Sequence, residues 1–389
     1  MNPSCFEKNS TLKYMRQAFQ KFRVYILLFM LGFTYGYCVN RFQIFPYATY
    51  TSLRDYFKSN PYKPYSTNQI DSFSNFLSKR LIVKPSNVDS LRAEVTKVVF
   101  NSSKLPSYYP SLVTKIIDDT YSDLINLKSI QEFRVNLSFG FCSVGYIFHP
   151  KKSNSRLLLY HQGHDGDFVY GKHAISYFLR RGYTIYAFSL PLLGKNNRPV
   201  VVTENYGNIQ FNSNHDYFKF LPKPLSYFIE PIIIMINYAQ KFSFKSISMV
   251  GLSGGGWATT IAAALDTRIN FSFPVAGTYP LALRFIRPES NYGDFEQVYP
   301  PLMQSADYLD LYILASVGKN RSQMQILNLH DPCCFNGYEY QLYHSFLSSE
   351  ILKYQSARFS LISDSLNKNH SISDMALNLI IREVDTLSR

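Results

Sequence analysis

The chain has 389 residues, 40 Lys and Arg against 27 Asp and Glu, and 46% hydrophobic residues, for a net charge of +13. That length needs no disulfide framework to build a core, and an apolar content this high with only 17% charged residues excludes disorder. Residues 1–80 hold eleven basic and three acidic residues, so most of the excess charge is N-terminal. No Lys/Arg block interleaved with aromatics follows, and nucleic acid is not an expected partner. The 31 Tyr and 31 Phe accompany abundant Asn, Lys, Ile and Ser, a coding bias that deprives the aromatic count of meaning. Five cysteines, odd in number and irregularly spaced, make no framework.

In chain order, residues 1–23 form a basic tail in which Lys8, Lys13, Arg16, Lys21 and Arg23 face only Glu7. Residues 24–40, VYILLFMLGFTYGYCVN, carry no charge. As a helix they reach about 26 Å, short of a ~30 Å hydrocarbon layer by a gap that flanking Lys and Arg can close by snorkelling. No A-x-A-like cleavage site follows, so an uncleaved transmembrane anchor is expected, basic end in the cytoplasm and the remainder exported. Residues 41–130 are a polar approach, a helical stem or extension. Helices are expected over Asp71–Leu81, Asn87–Val99 and Ser111–Leu127, with Asn87 and Ser111 as caps.

From residue 131 to 389 the pattern becomes strand, turn, helix. Phe133–Leu137 and Cys142–Phe148 alternate as a hairpin. Leu157–Tyr160, Thr184–Phe188, Ser246–Val250 and Phe271–Val275 are short apolar runs of the buried parallel-strand kind, joined by Gln323–Leu329 and Arg358–Ile362. Helices are expected over Lys172–Arg181, Leu225–Gln240, Trp257–Leu265 and Gly337–Leu352. This alternation predicts an α/β domain, a mostly parallel sheet covered by helices on both faces.

Ser246–Val250 runs directly into Gly251-Leu252-Ser253-Gly254-Gly255-Gly256 and the helical sequence WATTIAAAL. A serine on a sharp strand-to-helix turn needs small neighbours, and its hydroxyl then projects at a helix N-terminus that favours a developing anion. The G-x-S-x-G elbow in this context resembles the α/β-hydrolase superfamily, and within it the serine esterases and lipases, over about residues 131–389. The resemblance implies Ser253 as nucleophile, followed along the chain by an acid and then a histidine. Of the three later histidines, His370 lies between the last strand and the last helix, where that family carries its base. His344 sits in a helical pattern and His330 at a strand end. Asp331, closing the strand MQILNL, is then the acid that orients His370. Cys333-Cys334 beside it departs from the pattern; packed free thiols are the ordinary reading, with a vicinal disulfide or metal ligation as the alternatives.

The resemblance also implies an oxyanion hole from the Gly254 N–H and from the backbone near Gln162 or Gly163, although His161-Gln162-Gly163-His164 is not the family's H-G-G-G. His161, His164, Asp165 and Asp167 have metal-ligand chemistry, but on a loop they lack a set geometry, and no metal or other cofactor is expected. The run His161-x-x-x-Asp165-Gly166 also resembles the signature of acyl-CoA-dependent acyltransferases, a reading that leaves the elbow and His370 without a role. Two long connections, 194–222 and 278–321, leave the carboxyl edge of the sheet. Their polar residues, among them His215, Asp216, Asp294 and Glu296, are candidate substrate contacts together with His164. The expected activity is a membrane-anchored serine esterase acting on a small-molecule or glycan ester. An acyltransferase or a non-catalytic binding protein on the same fold are the alternatives.

Overall fold

The computed structural model describes residues 4–42, 45–46, 63–286 and 293–387. Residues 1–3 of the expected tail, 47–62 of the expected stem and 287–292 of the second long connection lie outside them. The chain divides into two compact units between Pro61 and Tyr62.

The described residues of the first unit are a helix, α1 (Ser4–Phe42), and a turn at Phe45-Pro46. Its apolar part, Phe19–Val39, is 21 residues long with mean hydropathy 1.5, and none of it is buried. At 1.5 Å per residue it spans about 32 Å, so it extends one turn before the expected 24–40 segment and matches a hydrocarbon core. The same length and composition are met by a signal sequence near an N-terminus.

The second unit is built on a nine-stranded sheet, and its segments in chain order are as follows. Two helices, α2 (Thr67–Ser78) and α3 (Val88–Phe100), precede β1 (Leu112–Ile116), β2 (Leu127–Asn136), β3 (Cys142–Pro150) and β4 (Arg156–His161). Next come α4 (Lys172–Arg180), β5 (Thr184–Phe188), a separate hairpin β6 (Val200–Thr203) and β7 (Gly207–Gln210), and α5 (Ser226–Ala239). They are followed by β8 (Ser246–Leu252), α6 (Gly254–Leu265), β9 (Phe271–Val275), α7 (Pro300–Ser305) and α8 (Tyr308–Ser316). The chain closes with β10 (Ser322–Asn328), α9 (Gln341–Glu350), β11 (Phe359–Asp364) and α10 (Asp374–Leu387).

The sheet order is β1-β2-β3-β5-β4-β8-β9-β10-β11. The β1 to β3 edge is antiparallel, and β5-β4-β8-β9-β10-β11 run parallel. Every residue of β5, β8, β9 and β10 is buried, which is why β5, β8 and β9 read as short apolar runs, while β10 also buries Ser322, Gln323, Gln325 and Asn328. Helices α3, α5, α6, α8 and α9 pack one face, and α4 and α10 the other, so the expected layered α/β architecture is present.

Two expectations for the approach segment are corrected. Ser111–Leu127 is not a helix. Leu112–Ile116 is a strand paired with β2, since Val113, Thr114 and Ile116 suit a pleated edge and Ser111 Oγ donates to the Arg134 carbonyl rather than capping a helix. The boundary expected at residue 131 also falls inside β2. Moreover α2 and α3 bury Leu77, Leu91, Val95 and Val99 in the main core, and the Asp310 carboxylate accepts from the Ile82 and Val83 N–H groups at 2.8 and 2.7 Å. Residues 63–130 are thus part of the domain.

Candidate active site

At the carboxyl end of β8 the backbone turns into α6 through Ser253, at φ 56° and ψ −123°. A non-glycine residue there stores about 1–3 kcal/mol of strain, held by surrounding contacts. The Ser253 N–H donates to the Val275 carbonyl at 2.9 Å, and its carbonyl accepts from the Trp257 N–H at 3.0 Å. The turn is possible only because its neighbours are small. A Cβ on Gly251 would lie 2.1 Å from the Gly255 carbonyl oxygen, and one on Gly255 would lie 2.2 Å from that of His161. Ser253 is 9% exposed, and among the described residues its hydroxyl has no hydrogen-bond partner. Contacts of this kind often tighten only when substrate binds.

The structure brings Asp331 and His370 together. His370 Nδ1 lies 3.0 and 2.9 Å from the two Asp331 carboxylate oxygens. Asp331 is 1% exposed, and its Oδ1 accepts from the Cys333 and Cys334 N–H groups at 2.8 and 3.0 Å. Asn328, at the end of β10, donates to Asp331 Oδ2 at 3.2 Å and to the carbonyls of Asn369 and Ser371. One amide therefore ties the acid to both residues flanking the base. Neither Asn328 nor the two cysteine N–H groups stood out in the sequence, because a polar strand terminus and a turn are commonplace. The Asn328-x-x-Asp331 spacing was the available signal. Cys333 and Cys334 are bonded to each other, which corrects the expectation of free thiols. His344 lies within α9, half-buried, and burial lowers its pKa.

The loop after β4 approaches the elbow at Gly163, where an added Cβ would meet Ser253 Cβ and the Leu252 carbonyl oxygen at 2.7 Å each. Gly254 opens α6, so its N–H has no intrahelical partner. Gln162, one of the two loop donors expected, is excluded by its bonding: its N–H already donates to the Phe188 carbonyl at 3.0 Å. Its side chain is engaged by the Tyr160 hydroxyl and by Asp165. His161 is buried, stacked on Phe188 with Nδ1 2.8 Å from the Gln162 carbonyl, and burial pulls its pKa down to about 4. The acyltransferase-like reading required an accessible base there.

An added Cβ on Gly254 would meet the His164 ring at 2.4 Å, so His164 stands against the first residue of α6. Its Nε2 lies 2.8 Å from Glu296 Oε1 and 3.2 Å from Asp294 Oδ2. His215 Nδ1 lies 3.5 Å from Glu296 Oε1. Glu296 is wholly buried; burial alone raises its pKa, but hydrogen bonds and charge from the two histidines outweigh it and leave the carboxyl at about 2. For His164 burial opposes the charge, yet Glu296 and Asp294 raise its pKa. His164, Asn214, His215, Asp216, Lys219 and Asp294 line a cavity of about 330 Å³. A larger one, about 550 Å³, opens among Ser155, Thr184 and Phe244 at the amino ends of the parallel strands, away from the elbow.

No protein-family model matches the sequence, and no curated protein matches it. Solved structures do. An acetyl xylan esterase from Paenibacillus sp. R4 superimposes with a TM-score of 0.53 at 15% identity, covering 83% of this chain and 99% of that one. Acetyl xylan esterase 1 from Thermoanaerobacterium sp. JW/SL YS485 gives 0.52 at 13% identity, covering 84% and 99%. Methylesterase BT1017 gives 0.56 at 16% identity, covering 84% and 70%. With the sheet order and the elbow, these likenesses show that the chain has the α/β-hydrolase fold.

Proposed function

We propose that the chain is a serine esterase that cleaves a carboxylic ester through an acyl-enzyme. The observation that carries this reading is the pairing of His370 with a buried, fully bonded Asp331 beyond β10, in the same parallel sheet whose strand β8 turns into a serine held at positive φ on a strand-to-helix elbow. Ser253 Oγ attacks the ester carbonyl while His370 Nε2 takes its proton. The carboxylate on Nδ1 fixes the tautomer that leaves Nε2 free and stabilises the imidazolium that forms. The Gly254 N–H and the Gly163 stretch receive the oxyanion, each good donor contributing about 2.7–4 kcal/mol. The imidazolium then protonates the leaving alcohol, and water repeats the sequence to free the acid.

A carbohydrate ester is the substrate class we favour. The cavity beside the elbow is polar, and two of the structural neighbours are named for acetyl xylan. His164, His215 and Asp294 border the room where the alcohol portion would lie. Under this reading α1 is an uncleaved anchor, with the basic tail in the cytoplasm and the domain exported. The test is acetate release from acetylated xylan and from p-nitrophenyl acetate by the full-length chain in detergent. Turnover that disappears in Ser253→Ala supports the proposal. A wild-type chain that is folded and inert toward both esters, and toward longer acyl chains, removes it.

A further inference from the structure

The contacts around His164 and His215 leave a buried carboxylate short of partners. His215 Nε2 lies 2.8 Å from the Pro191 carbonyl, which can only accept, so Nε2 carries the proton. In the neutral ring Nδ1 then turns a lone pair toward Glu296. His164 Nε2 faces two carboxylates with at most one N–H. Glu296 Oε2 is buried and has no hydrogen-bond partner among the described residues. A wholly buried carboxylate with one unsatisfied oxygen thus meets two imidazoles, with the half-exposed Asp294 at the rim, an arrangement that a further ligand atom or ion would complete.

The spacing suits a metal ion. The ligand atoms of His164, His215 and Glu296 all lie within 4.8 Å of one another. Donors bound at about 2.0–2.1 Å around a tetrahedral ion stand roughly 3.3 Å apart, and the separations here are 2.8, 3.2 and 3.5 Å. The His215 N–H on a backbone carbonyl is the outer-shell bond that metal-ligating histidines usually make. We propose that His164 Nε2, His215 Nδ1 and Glu296, with Asp294 at the rim, bind one divalent transition-metal ion, zinc being best suited to two imidazoles and two carboxylates. Such an ion fastens three separate connections, after β4, before α5 and before α7, beside the first residue of α6. Metal binding does not depend on the ester reading, and it is measured without turnover.

The test uses the full-length chain in detergent, stripped with a chelator, then titrated with zinc by calorimetry and with cobalt by absorption. One equivalent of zinc is expected, with a rise in melting temperature and a cobalt spectrum free of thiolate charge transfer. Glu296→Gln and His164→Ala should each weaken binding by about 100-fold or more. Because Glu296 is buried, Glu296→Gln also risks misfolding, and His164→Ala, at a part-exposed position, then carries the comparison. A folded wild-type chain that takes up no zinc overturns the proposal. So does binding unchanged in the folded variants, or a thiolate band lost in Cys333→Ser/Cys334→Ser, which would move the metal to the cysteine pair.

Discussion

The two histidine sites beyond the carboxyl ends of the strands are held in opposite ways. On one side His370 meets a single carboxylate, Asp331, whose oxygens are already positioned by two backbone N–H groups and Asn328. On the other, His164 and His215 converge on Glu296 and Asp294, with more acceptor oxygens than ring N–H groups. Among the described residues His370 is engaged through Nδ1 and its Nε2 has no hydrogen-bond partner. The second cluster is saturated with negative charge and suits an anchor. Closeness to the nucleophile does not make a histidine the base; the number and burial of the carboxylates around it do.

The largest effects expected lie on the first side. Ser253→Ala and His370→Ala should each lower kcat on p-nitrophenyl acetate by on the order of 10⁵–10⁶, since nucleophile and base act as a unit. His344→Ala should run near wild type. An inactive His344→Ala beside a fully active His370→Ala would reassign the base and undo the comparison. Asp331→Asn should cost less, about 10⁴-fold, because the imidazole remains but in the wrong tautomer. Its melting temperature should stay close to that of the wild type.

The second side should answer in stability. Glu296→Ala removes the buried carboxylate on which His164 and His215 converge and should lower the unfolding free energy by about 3–5 kcal/mol in a denaturant titration. Should Asp331→Asn prove the unfolding change and Glu296→Ala the thermally silent one, the roles of the two clusters would be exchanged.

The neighbouring His161 gives a pH signature. Its folded pKa is depressed to about 4 by burial, so the folded ring stays neutral while the unfolded ring takes up a proton near pH 6.5. Its contribution is therefore full above pH 6.5 and lost as pH falls toward 4, by about 3 kcal/mol at most. Asp310 works the other way. Burial raises its pKa to about 6, so acidification through that range favours the folded state. Denaturant titrations of wild type and His161→Asn from pH 7 to 4 isolate the histidine, and the variant should lose less stability over the range. Equal slopes would mean that the ring is hydrated.

The smallest effect expected is that of Asn328→Ala, about 10–100-fold in kcat with KM little changed, because the amide holds the acid and the base loop in register. Loss of activity as deep as that of His370→Ala would instead mean that the loop collapses without it.

What the sequence revealed follows the same division. Ser253 stood out by its G-x-S-x-G elbow, and Asp331 and His370 by their order after it and their places beyond the last two strands, since strand ends in a parallel sheet share one edge. The strands from Leu157 to Ile362 were legible for the same reason. Ser111–Leu127 was misread because Val113, Ile116, Ile117, Leu124 and Leu127 keep a helical spacing, and only pairing with β2 makes the first two part of a strand. Gln162 looked like an oxyanion donor until the Phe188 carbonyl claimed its N–H. The His164, His215 and Glu296 cluster was illegible as a unit. Its members come from three connections, and local spacing pointed to His161, which faces the core instead.

The central claim, that Ser253 is a nucleophile activated by the Asp331–His370 pair, is tested most directly by labelling the full-length chain with a fluorophosphonate and mapping the adduct by peptide mass spectrometry. Only a serine with a working base reacts readily with such a reagent. One adduct per chain is expected, on the peptide bearing Ser253, with labelling lost in Ser253→Ala and strongly slowed in His370→Ala. An adduct on another serine, or labelling that survives in Ser253→Ala, would contradict the account.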